Sequence, residues 1–322
     1  MDALAAARRA RHLLSLVGPF IGLILVMVLF GLLAPQSFLS AYNLKTVLVQ
    51  TVIVALGALG MTFIIISGGI DLSVGSVIAL VTVTTALLLD AGVSPLLAVA
   101  GGIATGGFCG IVNGFLITML RIVPFIVTLG MLGIARGLAK YLASEQKVDA
   151  PASWLPDLMM KTPEPGWLVF APGVWAMLVL SVMMAVVLRR TRFGIHSVAI
   201  GSNEATARLC GVHVNRTKVV VYTLSGLFTG LAGVMQFSRL TVGDPTTAVG
   251  MELDVIAAVV IGGGSLAGGE GSILGSLIGA FIMSLLANGC NLTGVPNYVQ
   301  EIIIGAIIVA AVALDRLRHG RG

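Results

Sequence analysis

The sequence predicts an all-α polytopic membrane protein: about ten transmembrane helices in two inverted five-helix halves, with broken or re-entrant glycine-rich segments. Three observations carry this reading. The 322 residues are 57% hydrophobic and only 10% charged, with a mean hydropathy of +1.04, whereas about a quarter of an ordinary soluble domain is charged. Charge-free apolar stretches recur along the chain, most of them long enough to cross about 30 Å of hydrocarbon at about 1.5 Å per residue. The 41 glycines stand in a background far too apolar for disorder and suit helices that approach closely through small residues. No sizeable soluble domain is left over, so the chain reads as one transmembrane domain, 1–322, with halves 13–165 and 166–322.

Taken in order, residues 13–34, 46–70, 72–89, 91–120, 166–188, 219–238 and 271–300 carry no charge. Three further spans are less clean: 122–142 holds Arg136 and Lys140, 255–269 is short and glycine-rich, and 298–314 contains Glu301. The turn-like "NLTGVPN" divides the last stretch into 271–290 and 298–314. The N-terminal "ARRARH" and its apolar run mimic a secretory leader. That run is longer than a usual leader's apolar core and no clear A-x-A site follows, so it reads as the first helix.

Lys and Arg set the orientation. With the N-terminus in the cytoplasm, Arg8, Arg9, Arg11, Arg121, the loop 189–218 and the tail 316–321 put thirteen of nineteen basic residues inside. The C-terminus returns to the cytoplasm. The loop 143–165 falls outside, with Glu145, Asp149, Asp157 and Glu164 against two lysines. An odd number of spans per half inverts the second half. "SVGSVIALV" at 73–81 echoes "AVGMELDVIAAVV" at 248–260, each opening the third helix of its half.

Few groups carry chemistry. Cys109, Cys210 and Cys290 are far apart, with no metal or disulfide spacing, and read as packing residues. "IGGGSLAGGEGS", 261–272, has Walker-like spacing between Gly264 and Gly269, but Glu270 stands where a lysine must face phosphate. Gly262, Gly263 and Gly264 therefore read as a helix break. His12, His196, His213 and His319 all fall in expected cytoplasmic segments, so no catalytic constellation shares one depth and no enzyme is expected. In the loop 191–218, Asn203 can cap a short helix, with Glu204 in its first turn, Arg208 near its end and Gly211 just beyond. That loop is either a solvated connector or a docking helix.

"GMTFIIISGGIDLSVGS" (60–76), "AIGSNEATARLCGVHV" (199–214) and "AAVVIGGGSLAGGEGSILGSLIGA" (257–280) closely resemble the permease subunits of bacterial ABC importers for monosaccharides, from about residue 15 to the end. The resemblance implies a bacterial inner-membrane protein that works with a second permease copy or paralogue, typically as a homodimer, in contact with lipid and not nucleic acid. A periplasmic sugar-binding protein would deliver the substrate. ATP and Mg would sit on a separate cytoplasmic ATPase, with no cofactor or metal on this chain. The segment 192–213 would then be the ATPase-coupling element, with Gly201, Asn203, Glu204 and Gly211 matching the family's pattern and Arg208 on the same helix. The chain departs at Ile195, where members often carry a basic residue, and at Gly201-Ser202, where Gly-Gly is usual; both bear on the choice of partner.

An ion-coupled secondary transporter is the alternative. It needs buried ionisable groups, and the chain offers Asp71 near a cytoplasmic boundary and Glu252, Asp254 and Glu301 near periplasmic ones. Asp71 follows the second span. Gly68 and Gly69 end one helix, Asp71 can accept from Ser73 or Val74 N–H at the start of the next, and Gly75 permits close packing. A contact between Asp71 and passing sugar is the second reading. Gly250 is expected at a similarly tight interface. Asn113, Gln236, Asn288 and Asn291 are candidates to line the pathway, and equally suit helix packing.

Overall fold

The computed structural model describes residues 2–163 and 166–319; Glu164 and Arg321, counted among the loop charges above, lie outside them. Helices α1 (Asp2–Leu33), α2 (Pro35–Phe38), α3 (Ala41–Ile66), α4 (Val74–Asp90), α5 (Pro95–Met119) and α6 (Pro124–Leu142) form the first part. Then come α7 (Pro172–Arg190), α8 (Arg192–Ser202), α9 (Glu204–Leu209), α10 (Val214–Leu240), α11 (Met251–Ile261), α12 (Ile273–Leu292) and α13 (Asn297–His319). Six of these, α3, α5, α6, α7, α10 and α12, are long and apolar enough to cross a membrane. The protein is an all-helical, multi-pass membrane protein.

Each expected apolar stretch carries a helix, with revised ends. α1 reaches back to Asp2, so the basic "ARRARH" is helical. α3 starts at Ala41, where Ser40 Oγ accepts from Asn43 N–H at 3.2 Å. The stretch 91–120 is not continuous: α4 closes through Gly92, and α5 begins at Pro95, a residue whose missing N–H suits a first turn. The expected all-α fold also gains a short pairing, β1 (Val148–Asp149) antiparallel to β2 (Val242–Gly243). It ties the long loop after α6 to the loop after α10, and Lys147 bridges Asp244 across it at 3.4 Å.

α3 lies at the centre of the fold. From Val52 to Ile66 its residues are buried all round, the pattern of a helix enclosed by others rather than amphipathic. The outer helices do the reverse. Leu96, Phe108, Ile134 and Val182 are each 65–70% exposed, a surface that fits lipid and not water. The tightest contact joins α5 to α10. Gly102, Gly106, Gly110 and Gly114 recur every fourth residue and so share one face of α5. A methyl at Gly106 would meet Gly230 Cα at 2.6 Å, and one at Gly114 would meet Val219 Cα at 2.9 Å. Backbone therefore lies on backbone, as in close small-residue packing of membrane helices.

Two buried helices stop in the same way. Gly68 N–H bonds Ile65 O and Gly69 N–H bonds Ile64 O, both at 2.9 Å; Gly263 bonds Val260 O at 2.9 Å and Gly264 bonds Val259 O at 2.8 Å. Gly68 and Gly263 have φ of +79° and +90°, the left-handed turn that closes a helix and satisfies its last carbonyls. α3 and α11 thus end without orphaned backbone groups inside the protein.

Candidate functional site

Three contacts surround these breaks. In the first, residues 67–73 leave α3 and turn back into the protein, so Asp71, Ser73 and Asn113 are only 4%, 2% and 1% exposed. Ser73 N–H donates to Asp71 Oδ1 at 2.8 Å and Ser73 Oγ donates to the same oxygen at 2.6 Å. Of the two backbone donors expected for Asp71, Ser73 is the one used. Ser73 is itself the residue preceding α4 and its own side chain makes no cap bond. Asn113 Nδ2 on α5 donates to Ser73 Oγ at 3.2 Å. The Ile70 carbonyl takes Thr128 Oγ1 of α6 at 3.3 Å and the Tyr222 hydroxyl of α10 at 3.5 Å. Asp71 therefore sits inside the helix packing: Asn113 is six residues, about 9 Å, from the end of α5.

The second contact is where the tips of two helices meet. α11 has eleven residues and rises only about 16 Å, roughly half a hydrocarbon core. Glu252, expected near an outer boundary, lies in the first turn of α11 and packs against the start of α4. A methyl on Gly75 would run into the Ala248 carbonyl and Glu252 Oε2. Arg136 of α6 clamps the approach, donating to Pro245 O at 2.8 Å and Thr247 O at 2.7 Å. Gln236 Nε2 donates to Thr247 Oγ1 at 2.7 Å. Gly250 departs from expectation, since a methyl there has open space. Its φ of +80° requires glycine, where close packing had been expected to.

The third contact is made by α8 and α9. The sequence suggested only the second of these helices. Thr191 Oγ1 accepts from Gly194 N–H at the start of α8, and Asn203 Oδ1 accepts from Thr206 N–H at 2.9 Å at the start of α9. Gly211 follows α9 at φ +84°. Phe193 stacks on Phe63 of α3, with centroids 5.5 Å apart. A methyl on Gly201 would collide with the Ile66 carbonyl and lie 2.6 Å from Gly269 N. Gly269 N–H already donates to that same carbonyl at 2.8 Å. One backbone oxygen thus joins the end of α3, the segment after α11 and the end of α8.

Glu204 is half-exposed, and both its oxygens are engaged within the chain: Arg208 at 2.9 Å and Lys218 at 2.7 Å. The hydrogen bond from Lys218 is the main reason its carboxyl is held below the usual range. Leu209, at the tip of α9, is 89% exposed.

The remaining pathway candidates separate by position. Asn113 joins the Asp71 cluster and Gln236 the loop below Arg136. Asn288 exchanges two bonds with Asn43, at 2.9 and 3.0 Å, across α12 and α3. Asn291 Oδ1 accepts from Gln300 Nε2 of α13 at 2.9 Å. Neither lines the crevice that holds Asp71. Sequence reasoning missed Arg136, Thr128, Cys109 and Leu209 as participants. The four-residue glycine spacing on α5 was a readable signal for the neighbourhood of Cys109. Nothing local marked Arg136, whose partners are more than a hundred residues away.

Comparison with known proteins gives a consistent result. Residues 43–312 match the family model described as branched-chain amino acid transport system / permease component. The ribose import permease protein of Escherichia coli is 40% identical over 305 residues, covering 93% of each chain. That of Bacillus subtilis is 40% identical over 301 residues, 93% of this chain and 92% of its own. The L-arabinose ABC transporter permease protein of Azospirillum brasilense is 38% identical over 323 residues, 99% of this chain and 94% of its own. No solved structure matches.

Proposed function

The chain belongs to the branched-chain amino acid transport system / permease component family, a transport subunit and not an enzyme, and from that membership we propose that it passes a monosaccharide inward through the inner membrane as part of an ATP-driven importer. Near-full-length identity of 38–40% to ribose and L-arabinose permeases carries this reading. A binding protein delivers the sugar on the outer side. ATP and Mg are handled by a cytoplasmic ATPase, and a second permease copy completes the pathway. Ten spans with both termini in the cytoplasm agree with the distribution of Lys and Arg.

In this arrangement α8 and α9 face the ATPase. Gly201 lies against the end of α3 and the segment after α11, so displacement of α8 acts on both breaks together. Asn203 and Gly211 shape α9, while Glu204 and Arg208 fix it to α10 through Lys218. The exposed Leu209 offers an apolar contact. The carrier needs no chemistry of its own, only a helix packing with two arrangements that its partners bias.

Reconstitution tests this. Proteoliposomes holding the permease, the ATPase and the binding protein encoded beside it are expected to accumulate labelled sugar only with ATP on the ATPase side. Uptake by the permease alone under an imposed pH gradient would establish the ion-coupled alternative instead.

A further inference from the structure

Among the described residues, five buried side-chain atoms have no hydrogen bond: Thr85 Oγ1 of α4, Asn113 Oδ1 of α5, Ser225 Oγ and Gln236 Oε1 of α10, and Ser284 Oγ of α12. Such groups are rare in native interiors because each forfeits its hydration. Asn113 is the most telling. Ser73 Oγ already gives its single hydrogen to Asp71, so it can only accept, and the amide must face it through Nδ2. Asn113 Oδ1 is thereby left as an acceptor with no donor, in a crevice it shares with Asp71, Ser73, Cys109 and Thr229.

We propose that Asp71, Ser73 and Asn113 form a binding site for the hydroxyl groups of the transported sugar, held shut in this conformation by the glycine seam between α5 and α10. This rests on the reading that the cargo is a monosaccharide. The site's chemistry fits neighbouring hydroxyls: a carboxylate and an amide oxygen accept two O–H groups, and the Thr229 hydroxyl gives or takes a third. It fits a bare cation poorly. Hard cations take about six or more oxygen ligands, and the rest of the lining is glycine, Val77 and Cys109. The crevice is too narrow to admit water as it stands. Opening it requires α5 to separate from α10, and the walls there are Gly106, Gly110 and Gly226. At Gly106 and Gly110 the α5 backbone lies directly on that of Gly226 and Gly230, so little side-chain bulk stands between the two helices at the crevice itself. The link to the energy source is short, because Asp71 lies five residues from Ile66, whose carbonyl α8 touches.

Cys109 supplies the probe. Its thiol lines the crevice and is buried. In the reconstituted complex of permease, ATPase and binding protein, alkylation of Cys109 by N-ethylmaleimide is followed by peptide mass spectrometry. Turnover with ATP is expected to accelerate it roughly tenfold by opening the seam. The sugar that the complex takes up, from D-ribose, L-arabinose, D-allose and D-fructose, is expected to slow it again by about threefold at twice its dissociation constant. Asn113→Ala is expected to abolish the protection. Uptake without protection in the unmodified chain overturns the site alone, as does protection by sodium in place of sugar. Uptake of none of the four sugars overturns the monosaccharide reading and this site with it.

Discussion

At Ile66 and at Ile261 a buried apolar helix stops in the same way, with a left-handed glycine and two backbone bonds to the last turn. The segments beyond the two breaks differ. After Ile66 the chain turns inward and carries a carboxylate into the packing, where Ser73 and Asn113 surround it. After Ile261 the chain packs Leu266 against the core and meets its neighbours most closely through glycine backbone. A methyl on Gly262 would meet Ser276 N at 2.6 Å, and Gly269 reaches across to Ile66 O. An identical helix ending therefore does not specify a role. The residues after it decide whether the break presents polar groups or transmits a contact.

Four sets of substitutions probe that difference. Gly201→Ala has the largest expected effect, because its methyl strikes the carbonyl that joins both breaks. Overpacking of this kind costs about 1–3 kcal/mol, so uptake is expected to fall by about tenfold or more while the ATPase still co-purifies. Uptake at the unmodified rate would separate α8 from the breaks. Next come Gly75→Leu and Gly250→Leu. The first must part α4 from the Ala248 carbonyl and Glu252; the second meets open space and only the left-handed strain, about 1–2 kcal/mol. Gly75→Leu is therefore expected to impair uptake more, and Gly250→Asn to restore what Gly250→Leu loses, since Asn tolerates that backbone. Equal losses in both leucine variants would show that packing alone does not set the difference.

Asp71→Ala and Asp71→Asn divide the turn from the charge. Alanine leaves two buried Ser73 donors unsatisfied, at about 1–3 kcal/mol, and is expected to lower both thermal stability and uptake. Asparagine retains the acceptor and is expected to keep stability within about 1 kcal/mol of the unmodified protein. Loss of stability with both would mean the charge, not the turn, holds this break. Glu204→Lys is expected to have the smallest effect on stability, since exposed pairs contribute about 0.2–1 kcal/mol. It sets a third cation beside Arg208 and Lys218, so co-purification with the ATPase is expected to weaken with insertion intact; unchanged co-purification and uptake would remove α9 from docking. The same pairing gives a sign in pH. The Glu204 carboxyl titrates below its usual value of about 4.3. Its contribution is present at higher pH and lost as pH falls through that lowered value, which urea denaturation stepped downward from pH 6 would detect as a penalty for Glu204→Lys that shrinks in acid.

The sequence by itself determined the all-helical membrane character, because apolar run length answers directly to hydrocarbon thickness. It determined the glycine breaks and the Asn203 and Gly211 ends of α9 as well, because those are satisfied within a few residues. Its misreading lay at longer range: Gly250 was expected to pack and instead turns the chain. Asn113 and Asn288 looked alike as single polar residues on apolar helices. Only the tertiary structure joined one to Ser73 and Asp71 and the other to Asn43. The reason is register. Which residues face one another across two helices depends on how closely their backbones approach and where they cross. On α5 and α10 that was decided by glycines meeting glycines, a match that neither helix's own pattern contains.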